Sequence, residues 1–99
     1  MKVDEILNES AALYKGRKEI YPSDNWEISG RVLQELLPNG VAINSAYDNE
    51  RYHIFTWLIG KICRYAQNYD KGGHEDSLRD AIVYAAILKS IDGKINEIP

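Results

Sequence analysis

Cysteine is nearly absent from this 99-residue sequence: Cys63 stands alone, so no internal disulfide and no thiolate zinc cluster can form. Set inside an apolar stretch, that thiol reads as a small buried hydrophobe, and a chain without disulfides fits a cytoplasmic setting. Basic residues are scarce relative to acids. Twelve Lys and Arg against fifteen Asp and Glu give a formal charge of −3, which leaves nothing over to neutralise a phosphate backbone and makes nucleic acid a poor partner. No apolar run is long enough to span a bilayer, and the opening Met-Lys-Val-Asp-Glu carries acids where a signal peptide needs a basic start, so neither export nor a membrane partner is expected. A P-loop, a GxGxxG fingerprint, a GxSxG elbow and paired cysteines are all missing, which excludes P-loop kinases, dinucleotide enzymes, α/β-hydrolases and zinc ribbons.

What is present is helical periodicity. Apolar residues at 44% and charged residues at 27% describe a globular chain, and the length predicts one domain over residues 1–99 with a polar tail at 93–99. Val3, Ile6, Leu7, Leu13 and Tyr14 recur at three- and four-residue steps and predict a short amphipathic helix closed by Gly16. Pro22-Ser23-Asp24-Asn25 supplies start chemistry for a second helix over about Trp26 to Leu37, stopped by Pro38-Asn39-Gly40. The stretch Val41 to Asn49 has no clear period and reads either as a short strand or as an apolar loop over a site, with Asp48 or Asn49 capping the next helix. That third helix is expected from Glu50 to Asn68 and a fourth from Glu75 to Ile91, ended by Asp92-Gly93. The expected fold is all-α, a bundle of four helices whose last two form an antiparallel hairpin. Between Leu78 and Leu88 the fourth helix is apolar nearly all round, so it is expected at the centre of the bundle or in a dimer interface, and a homo-oligomer is expected with it.

The segment GGHEDSLRDAIVYAAIL, Gly72 to Leu88, carries the chemistry. Asp76, Asp80 and Tyr84 lie at i, i+4 and i+8 and share one helix face. Asp80 is followed by Ala81-Ile82-Val83, a setting in which an unpaired carboxylate costs several kcal/mol and calls for a cation. The preceding helix supplies a second stripe, His53, Trp57, Lys61, Arg64 and Asn68, which a hairpin would bring across from the acidic row. Two readings are open here. In one, Asp80 pairs with Arg64 to fix helix register. In the other, Glu75, Asp76 and Asp80 hold a divalent cation while Lys61 and Arg64 touch phosphate oxygens, the donor types suited to a hard metal and to an anion. His74 reads first as a surface or capping residue, and Asp76 or Ser77 as a plain N-cap. Gly72-Gly73 would let backbone amides approach a phosphate, although two glycines in a turn are common. Asn25 and Trp26 read either as cap and core anchor or as an amide and a stacking ring for a base.

In HEDSLRDAIVYAAIL the chain resembles the all-α MazG-like nucleoside-triphosphate pyrophosphohydrolases, particularly small phage-associated members linked to nucleotide modification. Asp76 and Asp80 match the acidic positions of that group's last core helix, and Tyr84 matches its aromatic. Lys61-Ile62-Cys63-Arg64 is similar to the Lys-x-x-Arg of the phage subgroup, and Tyr21-Pro22-Ser23-Asp24-Asn25-Trp26 to its Tyr-Gly-x-x-Asn-Trp. The resemblance implies Mg²⁺-dependent cleavage of a nucleoside triphosphate to the monophosphate and pyrophosphate, with assembly as a dimer or larger. Taken with the acidic and basic rows, it points to Asp80, Asp76 and Lys61 for catalysis, to Glu75, Asp76 and Asp80 for the metal, and to Lys61, Arg64, Asn25, Trp26 and Tyr84 for the substrate. Typical members carry Glu-Glu-x-x-Glu on the helix before the last; here that helix carries Lys61 and Arg64, and Ser77 replaces a further carboxylate. The alternative is a non-catalytic helical regulatory protein that oligomerises through its apolar last helix.

Overall fold

A computed structural model describes residues 1–20 and 25–96, with only the helical backbone described at 19, 20, 25, 95 and 96. The chain is all-α: α1 (Val3–Ile20), α2 (Asn25–Leu36), α3 (Ala46–Gln67) and α4 (Glu75–Asn96), with a 3-10 turn at Tyr69–Lys71. Among the described residues there is no strand, so Val41-Ala42-Ile43 is an irregular linker.

Helix ends differ from the periodicity in instructive ways. α1 runs through Gly16 to Ile20, with Asp4 and Glu5 in its first turn and Arg17 and Lys18 in its last, charges that complement the helix dipole at both ends and offset the glycine. α3 starts earlier than expected because Ser45, and neither Asp48 nor Asn49, is its cap. The Ser45 hydroxyl accepts from the Asp48 amide at 3.1 Å, while the Asp48 carboxylate reaches back to the Asn44 amide at 3.0 Å. α4 passes Asp92-Gly93 and continues to Asn96, so the expected tail at 93–99 is helical as far as it is described. Residues 21–24, where the start signal of α2 falls, lie outside the described residues.

α3 and α4 form the expected antiparallel hairpin. Contacts tie the two helices along their length: Tyr47 donates to the Ile91 carbonyl at 2.8 Å, Arg51 pairs with Asp92 at 2.8 Å, Trp57 meets Tyr84 at 5.4 Å between centroids, and Lys61 pairs with Asp80 at 3.0 Å. The reversal uses two left-handed glycines, Gly72 (φ 93°) and Gly73 (φ 86°). A Cβ on Gly73 would sit 2.5 Å from the Tyr65 ring, so this glycine serves close approach as well as backbone freedom.

Among the described residues α1 does not join the expected four-helix bundle. α2 packs on α3 and α3 on α4, but α2 does not pack on α4, and α1 packs on none of them among the described residues. The result is a layer one helix deep with α3 in the middle. The radius of gyration is 17.0 Å, against about 13 Å for a compact domain of this length. Burial among the described residues is correspondingly thin: Ile59, Cys63, Ala81 and Ile91 make the core, and Ser77 is the most enclosed side chain of those described. α4 is therefore not central, and Ile82, Val83 and Ile87 face outward.

Candidate functional site

The stripe on α3 and the row on α4 do meet. Lys61 Nζ lies 3.0 Å from Asp80 Oδ2, and one turn away the Trp57 ring tilts against Tyr84. Beside these contacts opens a cleft of about 370 Å³ between α2, α3 and α4, lined by Ser29, Thr56, Trp57, Gly60, Lys61, Arg64 and Tyr84. Each helix contributes for a local reason. Thr56, Trp57, Gly60, Lys61 and Arg64 recur at three- and four-residue spacing and so share one side of α3. Gly60 lines the cleft together with Ser29 from α2 and Tyr84 from α4.

The electrostatics of the cleft are one-sided: its lining carries two cations and no carboxylate. Asp80 stands at its edge, and its side chain is 44% exposed while that of Lys61 is 26% exposed. This corrects two expectations. Asp80 is half-solvated rather than deeply placed, because no further helix covers that flank of α4, and its cation is Lys61 rather than Arg64. Half-exposed pairs of this kind contribute at most about 1 kcal/mol. The Ser29 hydroxyl is enclosed and makes no hydrogen bond among the described residues.

The remaining anticipated residues divide. Asp76 follows Asp80 along the row, exposed and one turn earlier. Glu75 turns away and pairs with Arg79 at 3.1 Å. Among the described residues no three His, Cys, Asp or Glu side chains gather closely enough to hold a metal ion, so the trio of Glu75, Asp76 and Asp80 does not converge. Trp26 is 65% exposed and absent from the cleft, which removes it as a core anchor, and the side chain of Asn25 lies outside the described residues. His74 is the cap of α4, displacing Asp76 and Ser77 from that role: its Nδ1 accepts from the Ser77 amide at 3.2 Å and lies 2.6 Å from the Ser77 hydroxyl. Ser77 is only 1% exposed, so this pair is a buried cap and has no reach to a substrate. The His53 ring lies tilted against Trp57, 4.3 Å between centroids.

Sequence reasoning placed Trp57 on the right stripe but missed Ser29 and Thr56. Neither hydroxyl belongs to a motif; only the docking of α2 on α3 brings them together. No family model matches the chain, and neither a curated protein nor a solved structure matches it.

Proposed function

We propose that the cleft between α2, α3 and α4 binds a nucleoside triphosphate. The observation that carries this reading is that Lys61 and Arg64 share one lining with Trp57 and Tyr84. Two cations suit the phosphates, since a guanidinium offers a planar fork and an ammonium a point charge. Two aromatic rings suit a base or sugar face. The volume, about 370 Å³, lies in the range of small-ligand sites.

Hydrolysis to the monophosphate and pyrophosphate is the reaction this arrangement serves, in line with the MazG-like resemblance and its phage setting. Mg²⁺ commonly uses one or two carboxylates together with substrate phosphates, and Asp76 and Asp80 can supply that pair without Glu75. When bound, the ion would neutralise phosphate charge and lower the pKa of a coordinated water. Lys61 and Arg64 hold the phosphate chain in line, so that water attacks the α-phosphorus and gives up its proton to solvent, the bond from that phosphorus to the bridging oxygen breaks, and pyrophosphate leaves with the electron pair. A cytoplasmic site of action and self-association belong to the same reading. No helix among the described residues is long and apolar enough to cross a membrane.

A second reading has its own observation. Lys61 already engages Asp80, and only two acids stand in the row, so the cleft would bind a nucleotide without cleaving it and act as a regulator. Pyrophosphate release and thermal shift, measured across ordinary and modified deoxynucleoside triphosphates with Mg²⁺ or Mn²⁺, separate the two. A saturating ligand raises the melting temperature by mass action. Turnover with a shift supports hydrolysis, a shift alone supports the regulator, and neither effect sinks the nucleotide.

A further inference from the structure

α3 and α4 flank a second groove, of about 310 Å³, that the nucleotide reading does not use. Three stretches of the chain supply its apolar walls: Tyr52 and Phe55 come from α3, Leu88 from α4, and Leu37 with Val41 from the end of α2 and the linker after it. Asp48, Arg51 and Asp92 also line it. The volume falls in the range of small-ligand sites.

The groove is polarised along its length. Asp48 stands four residues before Tyr52 on α3, and Asp92 four residues after Leu88 on α4. Because the two helices run antiparallel, both acids fall at one end, about one helical turn of 5 Å beyond the apolar walls. Asp48 uses Oδ2 to accept from the Asn44 amide at 3.0 Å, and Asp92 uses Oδ1 to accept from Arg51 Nε at 2.8 Å. Among the described residues the other oxygen of each carboxylate accepts no hydrogen bond. Two carboxylates against one guanidinium leave this end net negative. Tyr47, hydrogen-bonded to the Ile91 carbonyl beside Asp92, reports the same sign. Burial first and Asp92 next raise its phenol above the ordinary value, and Asp48 and Glu50 add to the rise while Arg51 opposes it.

Charge selects the occupant. An anion would meet two carboxylates, and a neutral apolar molecule would dry carboxylate oxygens that it cannot pair. An ammonium carried on an apolar body satisfies both ends. We propose that this groove binds a small organic ammonium ion, its cation at Asp48 and Asp92 and its apolar body against Tyr52, Phe55 and Leu88. The proposal stands whether or not the cationic cleft binds a nucleotide, since the two sites share no lining residue.

Titration of the ¹⁵N-labelled full chain, followed by amide chemical shifts at pH 7, tests it with three probes that share a ring and a two-carbon spacer. 2-Phenylethylamine should bind with a roughly millimolar Kd and move amides at 48–55 and 88–92. 2-Phenylethanol should bind about fivefold more weakly, and 3-phenylpropionate more weakly still. Asp48→Asn, which can still accept from the Asn44 amide, should weaken the amine about threefold and leave the alcohol unchanged. Arg51→Gln removes the one cation of the lining and should act in the opposite sense, tightening the amine. Should Asp48→Asn lose its helical circular dichroism, the Arg51→Gln arm decides by itself. Alcohol or carboxylate binding as tightly as the amine, an amine made weaker by Arg51→Gln, or shifts confined to Trp57, Lys61 and Tyr84 would each overturn the proposal.

Discussion

Two grooves run along α3, similar in size and opposite in character. One is the cleft of about 370 Å³ at Trp57, Lys61 and Arg64; the other, about 310 Å³, lies at Tyr52 and Phe55 and is closed by Leu37 from the end of α2 and Leu88 from α4. Phe55 and Trp57 are two residues apart, hence about 200° around the helix, which puts the grooves on opposite sides. The first is lined by two cations and no acid. The second holds Asp48, Arg51 and Asp92, with Arg51 tied to Asp92 at 2.8 Å inside its own lining, whereas Lys61 of the first is tied at 3.0 Å to Asp80, which stands outside the lining. Volume therefore does not distinguish the two grooves. The charge of their linings does: an anion entering the second would face two carboxylates, and the lining of the first holds none.

The comparison can be broken at its base or sharpened at each wall. Ile59, buried on the helix that both grooves share, carries the largest effect. Ile59→Ala should cost about 3 kcal/mol and lower the melting temperature by more than about 10 °C, read by thermal denaturation, and both grooves should be lost in one transition. Next comes the contrast between walls. Lys61→Gln should weaken triphosphate binding at least tenfold, about 1.4 kcal/mol, whereas Arg51→Gln should leave it unchanged by calorimetric titration; equal losses would mean that the two grooves do not differ as ligand sites. Asp80→Asn should change stability by less than about 1 kcal/mol, since its partner contact is half-solvated, yet should abolish the Mg²⁺ dependence of nucleotide binding. If the metal dependence survives, Asp80 is only the partner of Lys61.

The smallest effect is on pH. Burial, followed by the nearby Asp92 carboxylate, raises the Tyr47 phenol above its ordinary value of 10.0. The folded state thus holds this proton more tightly than the unfolded chain does. Its contribution is full below the ordinary value and is lost as pH rises through the raised one. Melting temperatures taken across the alkaline range should fall less steeply for Tyr47→Phe than for the wild type; identical slopes would show that another group governs alkaline unfolding.

How much of the fold and site was legible in the sequence depends on the range of the forces involved. Apolar steps of three and four residues are local and repeat many times, so the four helices and the final hairpin were readable. Helix ends rest on single side chains, and there the reading slipped: Ser45 outcompeted Asp48 as a cap because its hydroxyl and the Asp48 carboxylate satisfy each other's neighbouring amides. The facing of Lys61 and Asp80 was legible because antiparallel pairing is imposed by a short turn. The choice of Lys61 over Arg64, three residues apart, was not, since it depends on the rotation of α3 against α4. The fate of Glu75 was also hidden: an i,i+4 arginine captured it, and no spacing rule ranks that local pair above a metal.

By itself the sequence determined the helical class, the hairpin, the stripe that carries Lys61 and Arg64, and the acidic row beside it, because each depends on neighbours within a turn or two of the chain. Tertiary structure alone decided that α2 would bring the Ser29 hydroxyl to that stripe, that α4 would stand at an edge instead of the centre, and that one groove would be cationic and the other acidic. Those outcomes turn on how helices are rotated and ordered across a layer. A helix with apolar residues on several sides leaves that open until its neighbours are in place.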